Sequence, residues 1–513
     1  MTRMRINVFS YLQDSAECHG DKIAIADDKK SLTFSQWLDL SLSIGTAIAD
    51  SCADCIRKPI LVFVDRKIDG LIGFMGVLAS GNFYVPIDNK MPESRIKLIA
   101  DILNPVAAVC TTAKDIAALE TIGFTGKTLT LSEVSNYKAD AERLSAIRDC
   151  LIDLDPGYSI FTSGSTGVPK GVIISHRGMI DLAEWLTDTL GITYEDSLGN
   201  QTPFYFDGSV KDIALCLKTG ASLYVIGKKY FSFPKLLLEF LNNNKITSLL
   251  WATSAITLIG NSGILDVSVP RFVRLVTFAG EAMPAKQLNN WIDHLPDAKF
   301  FNLYGPTEIT VDCTYYEVTR RFPDDSFIPI GKACRNMEII VLNDDNRLVG
   351  VDEPGELCVR GSGVSMGYYG NSAKTDEVFV QNPLNPYYND IIYRTGDIVK
   401  YADDGNLLFV SRKDFQIKHM GNRIELGEIE SAVNSLEGVS NAACVYSSEE
   451  EKIVLFYDTT DGQDKDIING ISSMIPKYMF PNVCIRLERM PYNLNDKIDR
   501  LQLKKIYEAS KDN

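Results

Sequence analysis

The chain has 513 residues, 45% of them hydrophobic and 23% charged, enough apolar content for more than one packed domain. A formal net charge of −15 disfavours nucleic acid and anionic membrane as the main partner, and no apolar run of about 20 residues offers a membrane span. The eleven cysteines are odd in number and scattered, and the start, MTRMRINVFSYLQDSAE, lacks the apolar centre of a secretion signal, so a soluble cytoplasmic protein in a reducing compartment is expected. Cys52 and Cys55 have C-x-x-C spacing but no second pair nearby, which favours two helix-surface or half-buried thiols over zinc or redox work.

The hydrophobic pattern predicts a helix from residue 32 through 49 and a buried strand, ILVFV, at 60–64. Residues 81–88 read as a strand end broken by Pro86, with Pro92 and Arg95 entering the next helix. Further on come helices at 182–190 and 234–241 and strands at 222–226, 249–252 and 275–278. Short apolar runs separated by helices imply an α/β protein with parallel-type sheets covered on both faces. Beyond about residue 325, Gly/Asp-rich turns between short strands at 339–343 and 355–361 predict a small antiparallel or barrel-like subdomain. A second boundary falls at 411–414. After it, Leu426, Ile429, Val433 and Leu436 recur at helical spacing, followed by strands at 443–446 and 453–457, a helix at 467–475 and a strand at 484–487. The expected organisation is a core over 1–411, with the barrel-like part over about 325–411, and a compact α+β unit over 412–513.

The chemistry concentrates in residues 161–171, FTSGSTGVPKG. Alternating hydroxyls and glycines let backbone N–H and side-chain O–H groups crowd onto one small anion, and Lys170 adds a mobile positive charge. A Ser/Gly linker is the bland alternative, opposed by Pro169, Lys170 and the apolar Val172-Ile-Ile that follows. The loop is not a Walker motif, because Lys170 follows proline and precedes glycine.

Downstream stand YGPTE at 304–308, GEL at 355–357, GYY at 367–369, YRTGD at 393–397, RKDFQIK at 412–418, GNRIELGEIE at 421–430 and NDKIDR at 495–500. In this order they resemble the core motifs of adenylate-forming enzymes, most closely amino-acid adenylation domains of nonribosomal peptide synthetases and D-alanine carrier-protein ligases. The resemblance covers nearly the whole chain. It implies a large N-terminal domain, a small mobile C-terminal domain, ATP and Mg²⁺, and two steps: formation of an acyl-adenylate, then capture of the acyl group by the phosphopantetheine thiol of a separate carrier protein.

By the same resemblance Thr162, Ser163, Gly164, Ser165, Thr166, Gly167 and Lys170 hold the phosphates, and Asn302, Tyr304 and Gly305 bind the nucleotide, with Tyr304 on adenine. Asp397 takes both ribose hydroxyls, Arg412 assists at ribose or phosphate, and Glu308, beside Thr307, holds the metal. Lys497 bridges the substrate carboxylate and the nucleotide, and Asp414 is the hinge of the C-terminal domain. Two departures stand out: Asp496 and Ser411 occupy positions where the family usually has glycine.

Asp207 matches the family's anchor for a substrate α-ammonium, which an aryl or fatty acid would leave unanswered, so an amino acid is expected; a helix cap is its bland alternative. Gly208, Lys211, Leu250, Thr277, Ala279, Leu303, Val311 and Asp312 line the remainder of the implied pocket. Lys211 and Asp312 either bind a polar side chain or neutralise each other in the wall. The alternatives to a stand-alone amino-acid adenylating enzyme are a D-alanine–carrier protein ligase, an acyl- or aryl-CoA ligase, and a non-catalytic nucleotide-binding relative.

Overall fold

The computed structural model describes residues 5–53, 55–163, 168–324, 326–413, 416–459, 466–492 and 498–511. The chain forms two compact units. The first comprises Met1–Asn89, Leu103–Ile160 and Gly171–Lys413; the second comprises Lys90–Ile102, Phe161–Lys170 and Asp414–Asn513.

Among the described residues of the first unit, nine strands form one sheet in the order Lys332–Ala333, Thr314–Val318, Lys299–Tyr304, Leu275–Ala279, Ser248–Ala252, Ser197–Asn200, Ser222–Val225, Ile23–Ala26, Ser31–Thr33. The six inner strands run parallel, and antiparallel strands close both edges. Leu249, Trp251, Val276, Phe278 and Phe300 enter one core, while Leu250, Leu275, Phe301 and Leu303 enter the other. Burial on both faces explains why these segments read as continuous apolar runs. A second sheet runs Lys127–Thr130, Ala107–Cys110, Pro59–Val64, Phe83–Asp88, Pro156–Thr162, Lys170–Ser175. The expected antiparallel subdomain is a five-stranded sheet of Met337–Leu342, Gly355–Gly361, Ile391–Tyr401 and Phe379–Gln381, with Leu407–Arg412 also paired to Ile391–Tyr401.

Three local readings change. The helix expected from residue 32 begins at Phe34, because Ser31–Thr33 pairs with Ile23–Ala26 and Thr33 then closes a capping box with Gln36. That helix, Phe34–Ser51, packs so closely on Asp69–Ala79 that a Cβ on Gly76 would come within 2.4 Å of Ile44 Cγ2. Pro86 does not break its strand: the parallel ladder to Pro59–Val64 runs through Val62 opposite Pro86, while pairing on the other side stops at Tyr84 opposite Tyr158. The helix expected over 467–475 ends at Ile471, after which turns closed by the Met474 and Ile475 N–H groups on Ile471 O lead to Pro476.

His176 opens the helix His176–Leu190 and is fully buried, with the Val8 N–H donating to its Nδ1 at 3.4 Å. Burial pushes its pKa down to about 4, against partial compensation from Asp155 and Asp153. Between the unfolded value of 6.5 and about 4 the unfolded chain binds more protons, so this group contributes stability at neutral pH that is lost on acidification across that window. In urea melts the stability difference between the parent and His176→Gln should therefore shrink by up to about 1.4 kcal/mol per pH unit below 6.5. A difference that stays constant from pH 7 to 4.5 would contradict this assignment.

In the second unit, Val439–Ser447 and Lys452–Thr459 form an antiparallel pair to which Val483–Arg486 adds in parallel. Leu426–Asn434 and Ile467–Ile471 bury one face of this sheet through Ile429, Val433, Leu455 and Ile471. Arg500–Ser510 covers the other through Leu503 and Tyr507 over Ala443 and Phe456. Arg95 and Glu428 form a buried ion pair within this unit.

Candidate functional site

In the first unit Ala279, Leu303 and Tyr304 stand at the C-terminal ends of parallel strands, where open α/β sheets place ligands, while Leu250 and Thr277 lie at the middle of theirs. Leu250 lies opposite Thr277, and Ala279 opposite Leu303, in adjacent strands. Thr277 is wholly buried, and its Oγ1 has no protein hydrogen-bond partner among the described residues.

The strand Lys299–Tyr304 leads into a loop that folds back on itself. A Cβ on Gly305 would stand 2.4 Å from the Val311 carbonyl oxygen, so only glycine fits there. Thr310 and Val311 take φ of 61° and 77°, a conformation that a β-branched residue adopts only under constraint, at a cost of about 1–3 kcal/mol each. The constraints are visible: Thr310 Oγ1 donates to Gly363 O at 2.6 Å, and the Cys313 N–H donates to Tyr304 O at 2.8 Å. This turn sends Glu308 and Asp312, both almost fully buried, back into the protein. Tyr368 OH donates to Glu308 Oε1 at 2.8 Å. Thr307 and Asn302 are buried nearby in sequence, with Asn302 Nδ2 donating to Pro329 O at 2.8 Å.

Asp397 and Arg412 are register partners in adjacent strands, which explains their ion pair: Arg412 Nη1 donates to Asp397 Oδ1 at 2.6 Å. The Tyr304 hydroxyl donates to the other oxygen of Asp397. Burial, reinforced by Asp397, raises the Tyr304 phenol well above its ordinary pKa, so it acts as a donor. Ser411 pairs with Ile398 beside a β-bulge, since the next pair is Val399 with Phe409, and serine is accommodated at the start of that irregularity.

Asp207 is half-buried in the turn before the helix Ser209–Thr219, whose cap position belongs to Gly208 rather than to Asp207. Lys211 and Asp312 are 3% and 1% exposed, and they pair with each other at 3.3 Å. Burial pushes the neighbouring Asp212 carboxyl up to about 7, only partly offset by a hydrogen bond from Asn200 Nδ2 at 2.9 Å. Lys211→Met strips Asp312 of its buried ammonium and should cost about 3 kcal/mol in urea denaturation, whereas Lys211→Met with Asp312→Leu should recover most of that loss. Equal stability of the single variant and the parent would contradict the pairing.

In the second unit, Ser163 Oγ donates to Arg423 O at 3.1 Å and accepts from the Glu425 N–H at 3.2 Å. Lys170 Nζ lies 3.6 Å from Glu425, and Thr162 Oγ1 has no protein hydrogen-bond partner among the described residues. Gly164, Ser165, Thr166, Gly167, Asp414, Asp496 and Lys497 lie outside the described residues.

Sequence reasoning assigned no role to Tyr368, although it stands in the quoted Gly-Tyr-Tyr segment, and missed the Asn200–Asp212 contact altogether. The Tyr368–Glu308 contact joins segments 60 positions apart, and the Asn200–Asp212 contact joins the end of a strand to the helix Ser209–Thr219 that follows it.

Residues 12–369 match the family described as AMP-binding enzyme, and the chain belongs to that family. It is 31% identical over 512 residues to the D-alanine--D-alanyl carrier protein ligase of Staphylococcus aureus (strain Newman), covering 98% of this chain and 99% of that protein. It is 30% identical over 505 residues to tyrocidine synthase 1 of Brevibacillus parabrevis, covering 97% of this chain but 45% of that protein, so the chain spans less than half of that relative. The fold also matches NpsA-ThdA, an artificially fused adenylation-PCP di-domain from Klebsiella oxytoca, with a TM-score of 0.80 at 22% identity over 94% of each chain. No helix among the described residues is long and apolar enough to cross a membrane.

Proposed function

We propose that this protein activates an amino acid as its adenylate, using ATP and Mg²⁺, and then passes the aminoacyl group to the phosphopantetheine thiol of a carrier protein. The observation that carries this reading is the strained 304–312 loop, which holds Tyr304 against Asp397 and Glu308 against Tyr368 in a chain of the AMP-binding family. A carboxylate is a poor electrophile. Attack of its oxygen on the α-phosphorus of ATP expels pyrophosphate and leaves AMP as a good leaving group for the thiol.

Asp397, held by Arg412 and Tyr304, accepts the ribose hydroxyls, and Asp207 receives the α-ammonium. Ser163, Thr162 and Lys170 belong to the loop that grips the phosphates. Glu308 suits Mg²⁺, which is commonly held by one or two carboxylates together with substrate phosphates and water. When bound, the ion neutralises charge on the phosphates. Lys497 steadies the substrate carboxylate, and Asp414 serves as the hinge.

A second reading, a D-alanine ligase, is favoured by one observation. With Lys211 and Asp312 satisfying each other, neither charge calls for a polar substrate side chain, and a methyl group is no longer anomalous there. ATP–pyrophosphate exchange over the twenty common L-amino acids and D-alanine tests both. The first reading expects exchange with one amino acid well above the others, the second expects that amino acid to be D-alanine, and silence with all of them contradicts both.

A further inference from the structure

Tyr84 and Tyr158 are wholly buried, and neither phenol oxygen makes a hydrogen bond to any protein group among the described residues. The two residues lie opposite each other in parallel strands, with ring centroids 5.7 Å apart. Phe74 stacks on Tyr84 at 4.1 Å and meets Phe204 edge-on at 6.3 Å, so a continuous aromatic file runs from the strand Pro156–Thr162 to the segment that carries Asp207. Phenylalanine would pack this file equally well. A desolvated hydroxyl without a partner is destabilising, and two in neighbouring strands call for a reason other than packing.

Their environment indicates what they serve. Burial raises the Tyr158 phenol well above its usual pKa, and Tyr84 and the Asp207 carboxylate raise it further. The group therefore stays protonated, with a negative carboxylate close enough to be felt. Two phenols and a carboxylate supply the two to four polar partners that a buried water needs.

We infer that Tyr158, backed by Tyr84, positions Asp207 by donating a hydrogen bond to its carboxylate through a shared buried water, and thereby sets the demand for a substrate α-ammonium. This rests on reading Asp207 as the partner of that ammonium. Tyr158 and Tyr84 are positioning residues: they touch neither nucleotide nor substrate and act through Asp207.

The test uses Tyr158→Phe and the double variant Tyr84→Phe/Tyr158→Phe in ATP–pyrophosphate exchange. The probes are the amino acid that exchanges best in the panel above and the acid identical to it but lacking the amine. The expected result is a KM for the amino acid raised about tenfold and a preference for amine over des-amino acid reduced about tenfold, with kcat and the KM for ATP within about threefold of the parent. Thermal stability should change little, since the loss is a hydrogen bond to a water and not to a protein group. Asp207→Asn, run alongside, separates the two levels. If it raises the KM for the amino acid while both tyrosine variants behave as the parent, this inference is overturned and the reading of Asp207 survives. If it changes nothing, the reading of Asp207 falls and takes this inference with it.

Discussion

Asp207→Ala should lower kcat/KM for the cognate amino acid by about a hundredfold or more, close to 3 kcal/mol, because a substrate ammonium taken out of water then has no carboxylate to meet it. The loss should fall mainly on KM if the ammonium is held equally well before and during adenylation, and on kcat if orientation of the carboxylate depends on it. The parent enzyme should process the des-amino acid poorly for the complementary reason, as Asp207 would be left facing an apolar hydrogen. Equal turnover of the amino acid and its des-amino counterpart by the parent would remove the basis for calling the substrate an amino acid. Gly208 occupies the N-cap position of the following helix, and a urea melt of the variant separates the effect on activity from one on stability.

Asp397→Ala is expected to act on stability and nucleotide binding together. Asp397 is 2% exposed and takes hydrogen bonds from Arg412 and Tyr304, so its removal leaves a largely buried guanidinium without its carboxylate. Breaking one side of such a pair costs about 3–5 kcal/mol, and the lower end is expected here because Arg412 keeps a contact with Thr395 O at 3.3 Å. The KM for ATP should rise with it, since the acceptor for the ribose hydroxyls is gone. Asp397→Asn, which retains one acceptor oxygen, should fall between the two. Urea denaturation and exchange kinetics at varied ATP read both effects. Full stability with an unchanged KM for ATP would show that Asp397 has neither role.

Much of the layered fold could be read in the chain because its strands are buried on both faces and stand out as short apolar runs such as ILVFV at 60–64. Local rules failed where sheet context outweighed them. Pro86 remains in a strand because its neighbour on one side pairs only earlier, at Tyr84. Ser31–Thr33 becomes an edge strand because Ile23–Ala26 is there to receive it.

The candidate site was legible as separate motifs but not as an arrangement. Asp397 and Arg412 were singled out independently, and strand register makes them partners. The exception is Lys211 and Asp312, 101 positions apart, whose mutual neutralisation was one of two readings open from the sequence and which close a pair at 3.3 Å. Nothing in the chain marks Val311 as a left-handed residue, since valine resists that conformation; the crowding at Gly305 and the hydrogen bonds of Thr310 impose it. Tyr84 and Tyr158 are far apart in sequence, and neighbouring parallel strands alone make them a pair.

The central claim is that a substrate carboxylate becomes bonded to the α-phosphorus of ATP. The most direct measurement supplies the amino acid that exchanges best, labelled with oxygen-18 in its carboxylate, together with ATP, Mg²⁺ and hydroxylamine as acceptor, and locates the label by mass spectrometry. If the adenylate forms, one labelled oxygen leaves with AMP when the acceptor attacks the carbonyl, and unlabelled pyrophosphate accumulates in equal amount. Label in orthophosphate with release of ADP, or amino-acid-dependent product formation that leaves AMP unlabelled, would contradict the account.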